Sequence, residues 1–492
     1  MSEIERKARG ECLRALREAG IEPYPARVPA VVPIAQVRER FDPLDPEALA
    51  AGDPTVAVAG RVMGIRSFGK LVFLTLREGG VDLQASVRRG EVGEAAWKLL
   101  ELVDVGDFVR VEGPPWRTRS GELTVGARRL DLLAKGLRPL PEKWHGLTDV
   151  ESRFRQRYLD LLVNPEVRAA AVRRSATVSA LRGFLDRRGF LEVETPVLQP
   201  LYGGAAARPF TTRYDAYQHD VYLRISDELY LKRLVIAGLE RVYEIGHNFR
   251  NEGVSRKHNP EFTLLECYQA YADYRDMMEL VQAMIQHVVQ EVTGSLRVAY
   301  RDAEIDFGGA WPRRSIRELL LEATGVDVLA APDADALRAA VRRAGVDPGD
   351  AGTWGQIVDH LFSDRVEPTL QQPTFVVDYP VELSPLAKRS SDDPRLVERF
   401  ELFVAGMELA NAFSELNDPE DQRTRFEEQR RLRAAGDEEA HPLDEDFLRA
   451  LEHGMPPTGG LGVGVDRLVM VLTGAAHLRE VLLFPYMRPE SP

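Results

Sequence analysis

One stretch of the chain concentrates side chains that are suited to hold a charged ligand. Two runs typical of β-strands, Val242 to Phe249 and Glu261 to Ala270, flank a polar loop that contains a glycine. Because side chains alternate along a strand, the second run places Glu266 and Tyr268 on one face with Phe262. A buried carboxylate on an apolar face is costly unless it is paired. The pattern predicts an antiparallel hairpin that carries polar groups on a partly apolar face.

The number of charged groups on this hairpin favours a ligand site. A single ion pair, from Arg250 to Glu252 or Glu266, would be explained by an ordinary hairpin with a satisfied pair. The hairpin instead carries a larger set of charged or titratable side chains: Arg250, Glu252, Lys257, His258, Glu261 and Glu266.

A second predicted hairpin begins near residue 399 and places two carboxylates together. A two-residue Ala-Gly turn would pair Phe403 with Glu408 and Glu401 with Ala410. Glu401 and Glu408 would then share one face, where they repel each other unless a cation joins them. Mg²⁺ prefers carboxylates together with phosphate oxygens. The alternative is an acidic hairpin that faces solvent.

Three residues further along the same strand have the opposite parity from Glu408. These are Asn411, Phe413 and Glu415. If all of them serve the same pocket as Glu408, a β-bulge is needed near Ala410 or Ala412.

The elements that carry these residues resemble the class II aminoacyl-tRNA synthetases. The run FRNEG followed by RKHNPEFTLLE resembles motif 2, in the form found in bacterial lysyl-tRNA synthetases of subclass IIb. A helix predicted over 171–192, followed by FLEVETPVL with Pro196, resembles motif 1. The run TGGLGVGVDRLVMVLTG resembles motif 3. The resemblance extends from about residue 20 to the end of the chain.

The resemblance implies a role for each candidate residue. Arg250 would hold the amino-acid carboxylate and the α-phosphate of ATP, and Arg467 would reach the γ-phosphate; these two are the catalytic candidates. Arginine suits such a role because its planar guanidinium donates two parallel hydrogen bonds and stays charged. The implied lysine-binding residues are Gly204, Glu228, Arg250, Glu266, Tyr268, Asn411, Phe413 and Glu415. The implied ATP-binding residues are Arg250, Glu252, His258, Asn259, Phe262, Glu401, Glu408 and Arg467, with Glu401 and Glu408 as ligands of Mg²⁺.

Short β-rich runs between 55 and 135, separated by glycine turns, predict a small barrel. Their order resembles the OB-fold anticodon-binding domain of the lysyl- and aspartyl-type enzymes. The resemblance implies that Phe73 stacks on the central anticodon base and Gln84 reads its edge, with Arg66 nearby. Stacking contributes about 1–3 kcal/mol per base. For an isolated phenylalanine, core packing would be the ordinary interpretation.

The predicted fold class is α+β. An OB-fold β-barrel would precede an antiparallel β-sheet that is flanked by helices, with a helical insertion and without a parallel nucleotide-binding sheet. The predicted segments are an N-terminal helix and linker (1–54), the anticodon-binding domain (55–138), a hinge linker (139–170) and the catalytic domain (171–492, with the insertion at about 311–372).

Composition limits the location and the partners of the chain. Its 64 Lys and Arg against 77 Asp and Glu give a net charge of −13, so a tRNA would have to be attracted by local basic patches. The two cysteines lack metal-site spacing, and no apolar run is long enough for a signal core or a membrane span. We therefore expect a reduced cytoplasmic protein.

The reaction that the resemblance implies joins L-lysine to ATP as lysyl-adenylate and transfers lysine to the 3′ end of tRNA(Lys), in a homodimer formed through motif 1. A cationic substrate fits because Glu266, Tyr268 and Glu415 supply anions and a phenol, whereas aspartate or asparagine would need cations or amides. The alternatives are an aspartyl- or asparaginyl-type enzyme, a ligase that attaches lysine to a protein, and an RNA-binding protein with an inactive catalytic domain.

Overall fold

The computed structural model describes residues 3–52, 54–141, 147–349, 352–434, 436 and 439–490. It divides into two compact units, residues 1–165 and 166–492. The predicted linker and the predicted insertion each include positions outside the described residues, at 142–146 and 350–351 respectively.

The first unit is built on a sheet of seven strands. Its strands are β1 (Val56–Phe68), β2 (Leu71–Glu78), β3 (Val81–Arg88), β4 (Phe108–Gly113), β5 (Pro115–Arg117), β6 (Leu123–Ala127) and β7 (Arg129–Ala134). They lie in the order β5-β6-β3-β2-β1-β4-β7, and alternate residues such as Val58, Leu74 and Val109 form the core. The helices are α1 (Glu3–Glu18), α2 (Ile34–Phe41), α3 (Pro46–Ala51), α4 (Arg89–Leu100), α5 (Val150–Arg155) and α6 (Arg157–Val163). The barrel-type sheet predicted from the β-rich runs is confirmed.

The second unit alternates helices with short and long strands. Its first half contains α7 (Pro165–Asp186), β8 (Leu191–Glu192), β9 (Leu198–Gln199), β10 (Thr211–Tyr214), β11 (His219–Leu223), α8 (Glu228–Ile236), β12 (Arg241–Phe249), β13 (Glu261–Ala270) and α9 (Tyr274–Thr293). The middle contains β14 (Arg297–Tyr300), β15 (Ala303–Asp306), β16 (Arg313–Ser315), α10 (Ile316–Thr324), α11 (Ala334–Arg343), α12 (Trp354–Arg365) and β17 (Thr374–Val377). The last part contains β18 (Arg399–Val404), β19 (Met407–Ser414), α13 (Pro419–Ala434), α14 (Glu445–Glu452), β20 (Thr458–Gly464), α15 (Val465–Thr473) and α16 (Leu478–Val481).

The main sheet of this unit has eight strands in the order β16-β17-β18-β19-β20-β13-β12-β8. Its six central strands pair antiparallel, and only the edge pairs β16–β17 and β12–β8 are parallel. The predominantly antiparallel sheet confirms the predicted fold class.

Two boundaries differ from those predicted. Residues 313–315, expected within the helical insertion, form an edge strand of the main sheet, because this run is too short to show a period. The helix expected from 171 begins at Pro165, whose fixed φ angle suits the first turn of a helix.

One face of the main sheet is closed by a hydrophobic core. Leu265 and Cys267 of β13 and Val463 of β20 pack there with Val281 of α9 and Leu468 of α15. Because side chains alternate, the neighbouring residues of the same strands point to the opposite face. That opposite face carries the candidate site. Among the described residues, no helix combines the length and apolar character that crossing a bilayer requires.

Candidate active site

A single cavity of ≈ 330 Å³ on the open face of the main sheet collects the predicted residues of the second unit. Its walls come from β13, from the β18–β19 hairpin and from the start of α15. Every residue assigned above to lysine or ATP lines it: Gly204, Glu228, Arg250, Glu252, His258, Asn259, Phe262, Glu266, Tyr268, Glu401, Glu408, Asn411, Phe413, Glu415 and Arg467.

Strands β12 and β13 form the predicted hairpin with a regular register, from Arg241 opposite Gln269 to Phe249 opposite Glu261. The loop closes where the Arg250 amide donates to the carbonyl of Pro260 at 2.9 Å. The Arg250 guanidinium lies 5.1 Å from the centre of the Phe262 ring. Burial lowers its pKa, and Glu252 opposes that effect. Arg250 is therefore a desolvated cation at the cavity wall, which strengthens its attraction for an anion.

A β-bulge in the β18–β19 hairpin brings Glu408 to the same face of β19 as Asn411 and Phe413. Phe403 lies opposite Glu408 as predicted, but Leu402 lies opposite Ala410, which leaves Leu409 as the extra residue. The predicted pairing of Glu401 with Ala410 is therefore wrong, and Glu401 lies opposite Asn411. The bulge that the parity argument required is present at Leu409, one residue before the nearer of the two positions proposed for it.

The glycine run of β20 forms the floor of the cavity. Gly460 lies between Tyr268 of β13 and Phe413 of β19. Gly462 lies in the same way between Glu266 and Asn411. A Cβ at Gly460 would overlap the carboxylate of Glu415 and the Tyr268 ring. The glycine run therefore forms strand β20, which leaves space for the side chains of β13 and β19 and leads into α15.

One end of the cavity is anionic. Glu266 accepts hydrogen bonds from Ser226 Oγ at 2.7 Å and from the Asp227 amide at 3.2 Å, and the Tyr268 hydroxyl donates to it at 3.1 Å. Burial, reinforced by the charge of Glu228, raises the pKa of Glu266 to about 7. This end can hold a cation, because a bound ammonium would stabilise the ionised carboxylate.

Glu228 and Glu415 share a buried partner, Lys232. The Lys232 ammonium lies 2.5 Å from Glu228 Oε1 and also contacts Glu415 Oε2. All three side chains are almost completely buried. Sequence reasoning did not single out Lys232. Its signal is a lysine four residues after Glu228 on a helix whose other inward residues are apolar.

Gly204 brings the backbone against this anionic end. Its φ of +88° is in the left-handed region, and a Cβ would lie 2.7 Å from Ser226 Oγ. Only glycine allows both the conformation and the close approach to the start of α8. The backbone of Gly204 and the Cβ of Glu228 therefore lie side by side, and both residues line this end of the cavity.

The other end of the cavity carries arginines and the second pair of carboxylates. Arg467 Nη1 lies 3.0 Å from Glu408 Oε2, and Arg399 Nη2 lies 2.6 Å from Glu401 Oε1. The hydroxyl of Tyr379 donates to Glu401 Oε2 at 2.9 Å. Burial raises the pKa of Glu401 to about 7 despite Arg399. Burial opposes the ionisation of Glu408, but the charge and hydrogen bond of Arg467, together with the charges of Arg399 and Arg250, outweigh it and lower the pKa.

The loop between β12 and β13 adds neutral donors and acceptors. Burial, assisted by Arg467 and Lys257, lowers the pKa of His258 to about 4, so its imidazole is neutral at pH 7. The Asn259 amide donates to the Glu261 carbonyl at 2.6 Å, while its oxygen has no hydrogen-bond partner within the described residues. An unpaired buried acceptor of this kind suits a ligand that brings a donor.

The described residues contain no group of three or more acidic, histidine or cysteine side chains that could hold a metal by themselves. Glu401 and Glu408 nevertheless fit Mg²⁺ that arrives with a nucleotide. They are hard oxygen donors on adjacent strands of one cavity wall, and phosphate oxygens would complete the ligand set.

The first unit holds a separate polar surface that brings the anticodon candidates together. Arg66 lies opposite Phe73, and its guanidinium donates to Gln84 Oε1 at 2.6 Å. The Gln84 amide donates to Thr124 Oγ1 at 2.8 Å, and the Phe73 ring packs edge-on against Phe68. The three candidates line one open groove, and Phe73 remains partly exposed.

Comparison with known proteins agrees with this geometry. Residues 149–488 match the family of class II tRNA synthetases (D, K and N), and residues 56–133 match the OB-fold nucleic acid binding domain. The lysine–tRNA ligase of Carboxydothermus hydrogenoformans is 51% identical over 99% of this chain and 98% of its own length. The chain belongs to the lysine–tRNA ligase family. The ligases of Pelotomaculum thermopropionicum (52% identical, 99% of this chain and 95% of the relative) and Roseiflexus castenholzii (53% identical, 97% of each) agree.

Membership of the lysine–tRNA ligase family confirms an ATP-dependent aminoacyl-tRNA ligase with an OB-fold domain and a class II catalytic domain. The family generally uses ATP with Mg²⁺. Besides Lys232, sequence reasoning missed Arg399 and Tyr379 as the partners of Glu401. Arg399 lies two residues from Glu401 on the same strand, so the parity that grouped the carboxylates could also have found their cation.

Proposed function

We propose that the cavity makes lysyl-adenylate from L-lysine and ATP and that the same chain transfers lysine to tRNA(Lys). The observation that carries this proposal is the division of one cavity into two ends. Three buried carboxylates and a phenol lie at one end, and Arg250 and Arg467 lie with a second carboxylate pair at the other. A substrate that is cationic at its amines and joined to a phosphate through its carboxylate matches both ends.

At the anionic end, Gly204 and Glu228 hold the α-ammonium group of lysine. Glu415 and Tyr268 receive the ε-ammonium group, with Glu266 beside them. Asn411 and Phe413 line the path of the side chain between the two ends. A pocket that removes the water from a cation must replace its hydrogen bonds and its counter-charge. The contacts of Glu266 with Ser226 and Tyr268 support this, because both hydroxyls donate to the carboxylate and orient it without supplying a counter-charge.

At the other end, Arg250 holds the carboxylate of lysine and the α-phosphate, and Arg467 reaches the γ-phosphate. Phe262 stacks on adenine, and the nucleotide is further contacted by Glu252, His258 and Asn259. Glu401 and Glu408 hold Mg²⁺, which neutralises phosphate charge when it is bound with ATP.

The reaction needs positioning more than acid–base chemistry. A carboxylate oxygen of lysine attacks the α-phosphorus, the bond from that phosphorus to the bridging oxygen breaks, and pyrophosphate leaves. Arg250 stabilises the charge at the reacting phosphorus, and Arg467 stabilises the departing pyrophosphate. A hydroxyl of the terminal tRNA ribose then attacks the carbonyl carbon, and AMP leaves.

The first unit supplies tRNA selection in this proposal. Phe73 stacks on the central anticodon base, and Gln84 reads its edge with Arg66 alongside. The domain division given above, with the anticodon-binding domain at 55–138 and the catalytic domain at 171–492, belongs to the same proposal. So does a homodimer through the motif 1 segment, whose strands β8 and β9 leave Leu191 and Leu198 exposed in the single chain.

Exchange of radioactive pyrophosphate into ATP tests the proposal. We expect exchange that depends on lysine and Mg²⁺ and proceeds without tRNA, and charging of tRNA(Lys) when it is added. Exchange that depends on aspartate or asparagine would contradict the substrate assignment. Absence of exchange with any amino acid would favour an RNA-binding protein with an inactive cavity, and transfer of lysine to a protein instead of tRNA would favour the third alternative.

A further inference from the structure

Lys232 lies behind the anionic end of the cavity and has no exposed side-chain surface. Its ammonium joins Glu228, one turn earlier on α8, to Glu415, which follows β19. The rings of Phe413 and Phe447 lie 5.5 Å and 6.0 Å from it. Lysine and glutamate four residues apart on a helix are neighbours, but such pairs are usually on the surface. A buried one, shared with a third residue, calls for an explanation.

We propose that Lys232 is a positioning residue that sets the charge and the orientation of the lysine pocket. When a bound ammonium group stabilises their ionised forms, Glu228, Glu266 and Glu415 together contribute three negative charges, and Lys232 neutralises one of them. The remaining two negative charges match the two ammonium groups of lysine, whose carboxylate is matched separately by Arg250. This inference rests on the function proposed above and assigns a role to a residue that does not itself line the cavity.

The contacts also explain how the carboxylates are oriented. Lys232 holds one oxygen of Glu228 and one oxygen of Glu415. Gly460 permits the position of the other Glu415 oxygen, which has no hydrogen-bond partner among the described residues. Each carboxylate is therefore fixed by a resident cation on its far side. The free oxygen of Glu415 is the one that a second ammonium group would satisfy.

The charged groups around Lys232 keep it protonated. Burial lowers its pKa, but Glu228 and Glu415 raise it above the usual value for lysine. Burial, together with Lys232, lowers the pKa of His441 to about 4, so that imidazole adds no charge at pH 7. The titratable and charged groups that face this cluster are Glu228 on α8, Glu266 and Tyr268 on β13, Glu415 and Arg399 from the hairpin side, and His441.

A second charged group lies deeper and is balanced separately. Arg224 contacts Asp227 at 3.1 Å and Glu244 at 2.5 Å. Burial and the charge of Glu266 raise the pKa of Asp227 well above its usual range. Arg224 lies between the carboxyl groups of Asp227 and Glu244 and balances charge there. None of these three residues lines the cavity, so the charged groups that face the ligand at this end are the three glutamates, two of them held by Lys232.

The test replaces Lys232 with methionine, which has a similar length and no charge. We expect the KM for lysine in pyrophosphate exchange to rise about 30-fold or more, as for loss of one member of a buried charge pair at a binding site. The KM for ATP should change by less than about threefold, since the nucleotide end keeps all of its groups. The KM for lysine should also fall more steeply with rising pH than in the wild type, because a carboxyl that has gained a proton must release it to bind lysine.

Rescue separates a charge role from a packing role. Lys232→Ala leaves space for an alkylammonium, so n-propylammonium should lower its KM for lysine at least severalfold, whereas n-propanol should not. The same measurement on the wild type shows how far n-propylammonium competes with lysine at the substrate site, and this effect is subtracted. Equal rescue by the alcohol would indicate that only the volume of Lys232 matters, and it would overturn the proposal.

A matched control comes from Lys135 in the first unit. Lys135 is also fully buried and bonded to two carboxylates, Asp104 at 2.6 Å and Asp107 at 2.9 Å. Lys135→Met should lower thermal stability and leave both KM values unchanged.

An unchanged KM for lysine in folded Lys232→Met, or equal rises for lysine and ATP, would overturn the inference. If Lys232→Met does not fold, Lys232→Ala can be refolded with n-propylammonium, and the amine can then be removed stepwise. A KM for lysine that rises as the amine is removed supports the proposal. A KM for lysine that stays constant contradicts it. Failure of the wild type to show lysine-dependent exchange would instead refute the proposed function.

Discussion

Arg467 holds Glu408 at two points. Its Nη1 atom donates to the Glu408 backbone carbonyl at 2.6 Å and lies 3.0 Å from the carboxylate oxygen Oε2. The pair connects the first turn of α15 to the bulged part of β19. Because Arg467 lowers the pKa of this carboxylate, Glu408 is ionised in the ligand-free protein and available to a cation. A nucleotide that arrives with Mg²⁺ offers a partner to each member of the pair.

Replacing Glu408 with glutamine should reduce adenylate formation by about 100-fold or more, since a ligand that stabilises phosphate charge is lost. Lysine-dependent pyrophosphate exchange, measured over a range of Mg²⁺ concentrations, is the assay. Glu322→Gln, which removes an exposed carboxylate paired with Arg314, is the control and should keep full activity. Full activity of Glu408→Gln at limiting Mg²⁺ would contradict the metal assignment.

Replacing Phe73 with alanine should weaken charging of tRNA(Lys) by the loss of one base stack, about 1–3 kcal/mol. Pyrophosphate exchange without tRNA should be almost unchanged, because Phe73 belongs to the other compact unit. The two reactions are compared in the same preparation. Equal losses in both would show that Phe73 serves folding instead of base recognition.

Replacing Glu415 with glutamine should raise the KM for lysine by orders of magnitude and affect ATP much less. Removal of one partner from a buried charge pair costs about 3–5 kcal/mol, because the other charge stays buried. A neutral analogue without the ε-ammonium group should be rejected by the wild type for the same reason. Arginine should be excluded by shape. An unchanged dependence on lysine would refute this assignment.

Lysine binding should strengthen as the pH rises through about 7, because the carboxyl of Glu266 ionises there and only the ionised form attracts an ammonium. The stability of the ligand-free protein should change in the opposite sense. A carboxyl whose folded pKa is raised contributes stability below its unfolded pKa, and this contribution is lost as the pH rises through about 7.

Glu266→Gln removes the titrating group of the lysine pocket and should flatten the pH profile of the KM for lysine. It should reduce the slope of the stability profile, to which Glu401, whose pKa is also raised to about 7, still contributes. The KM for lysine and the thermal unfolding of the ligand-free protein, measured from pH 5 to 8, check the two directions (a range chosen to span the ordinary and the raised pKa of a glutamate). Profiles that stay as steep in Glu266→Gln as in the wild type would assign the titration to another group.

The sequence was informative where side-chain alternation and a resemblance agreed. The strand from Glu261 to Ala270 was predicted with its bounds, because Glu266 and Tyr268 share a parity that is separate from the core residues Leu265 and Cys267. The pairing of Glu401 could not be predicted in the same way. Strand pairing counts residues from the turn, and an inserted residue such as Leu409 changes every pairing beyond it.

Lys232 shows a different limit of the sequence. A lysine on a nine-residue helix is normally taken to extend into solvent. Only the fold reveals that it meets the carboxylate of Glu415, which lies 183 positions later and just after β19. The glycine run shows the same limit, since it is a strand only by pairing with β13 and β19, which are both distant in the chain. Both features depend on contacts between residues far apart in the chain, which a local sequence pattern does not contain.

The bulge at Leu409 bears on how this enzyme can diverge. Glu408 lies on one side of the extra residue and Asn411, Phe413 and Glu415 on the other, and all four line the cavity. In the proposed function, the first serves the nucleotide and the other three serve the amino acid. A deletion of Leu409 would turn one of these groups away from the cavity, because a shift of one residue reverses the faces of a strand. Substitution at single positions can therefore alter amino-acid preference independently of ATP use. Insertions and deletions within β19 would be purged by selection, so descendants of this chain should differ there in residue type but keep the strand length.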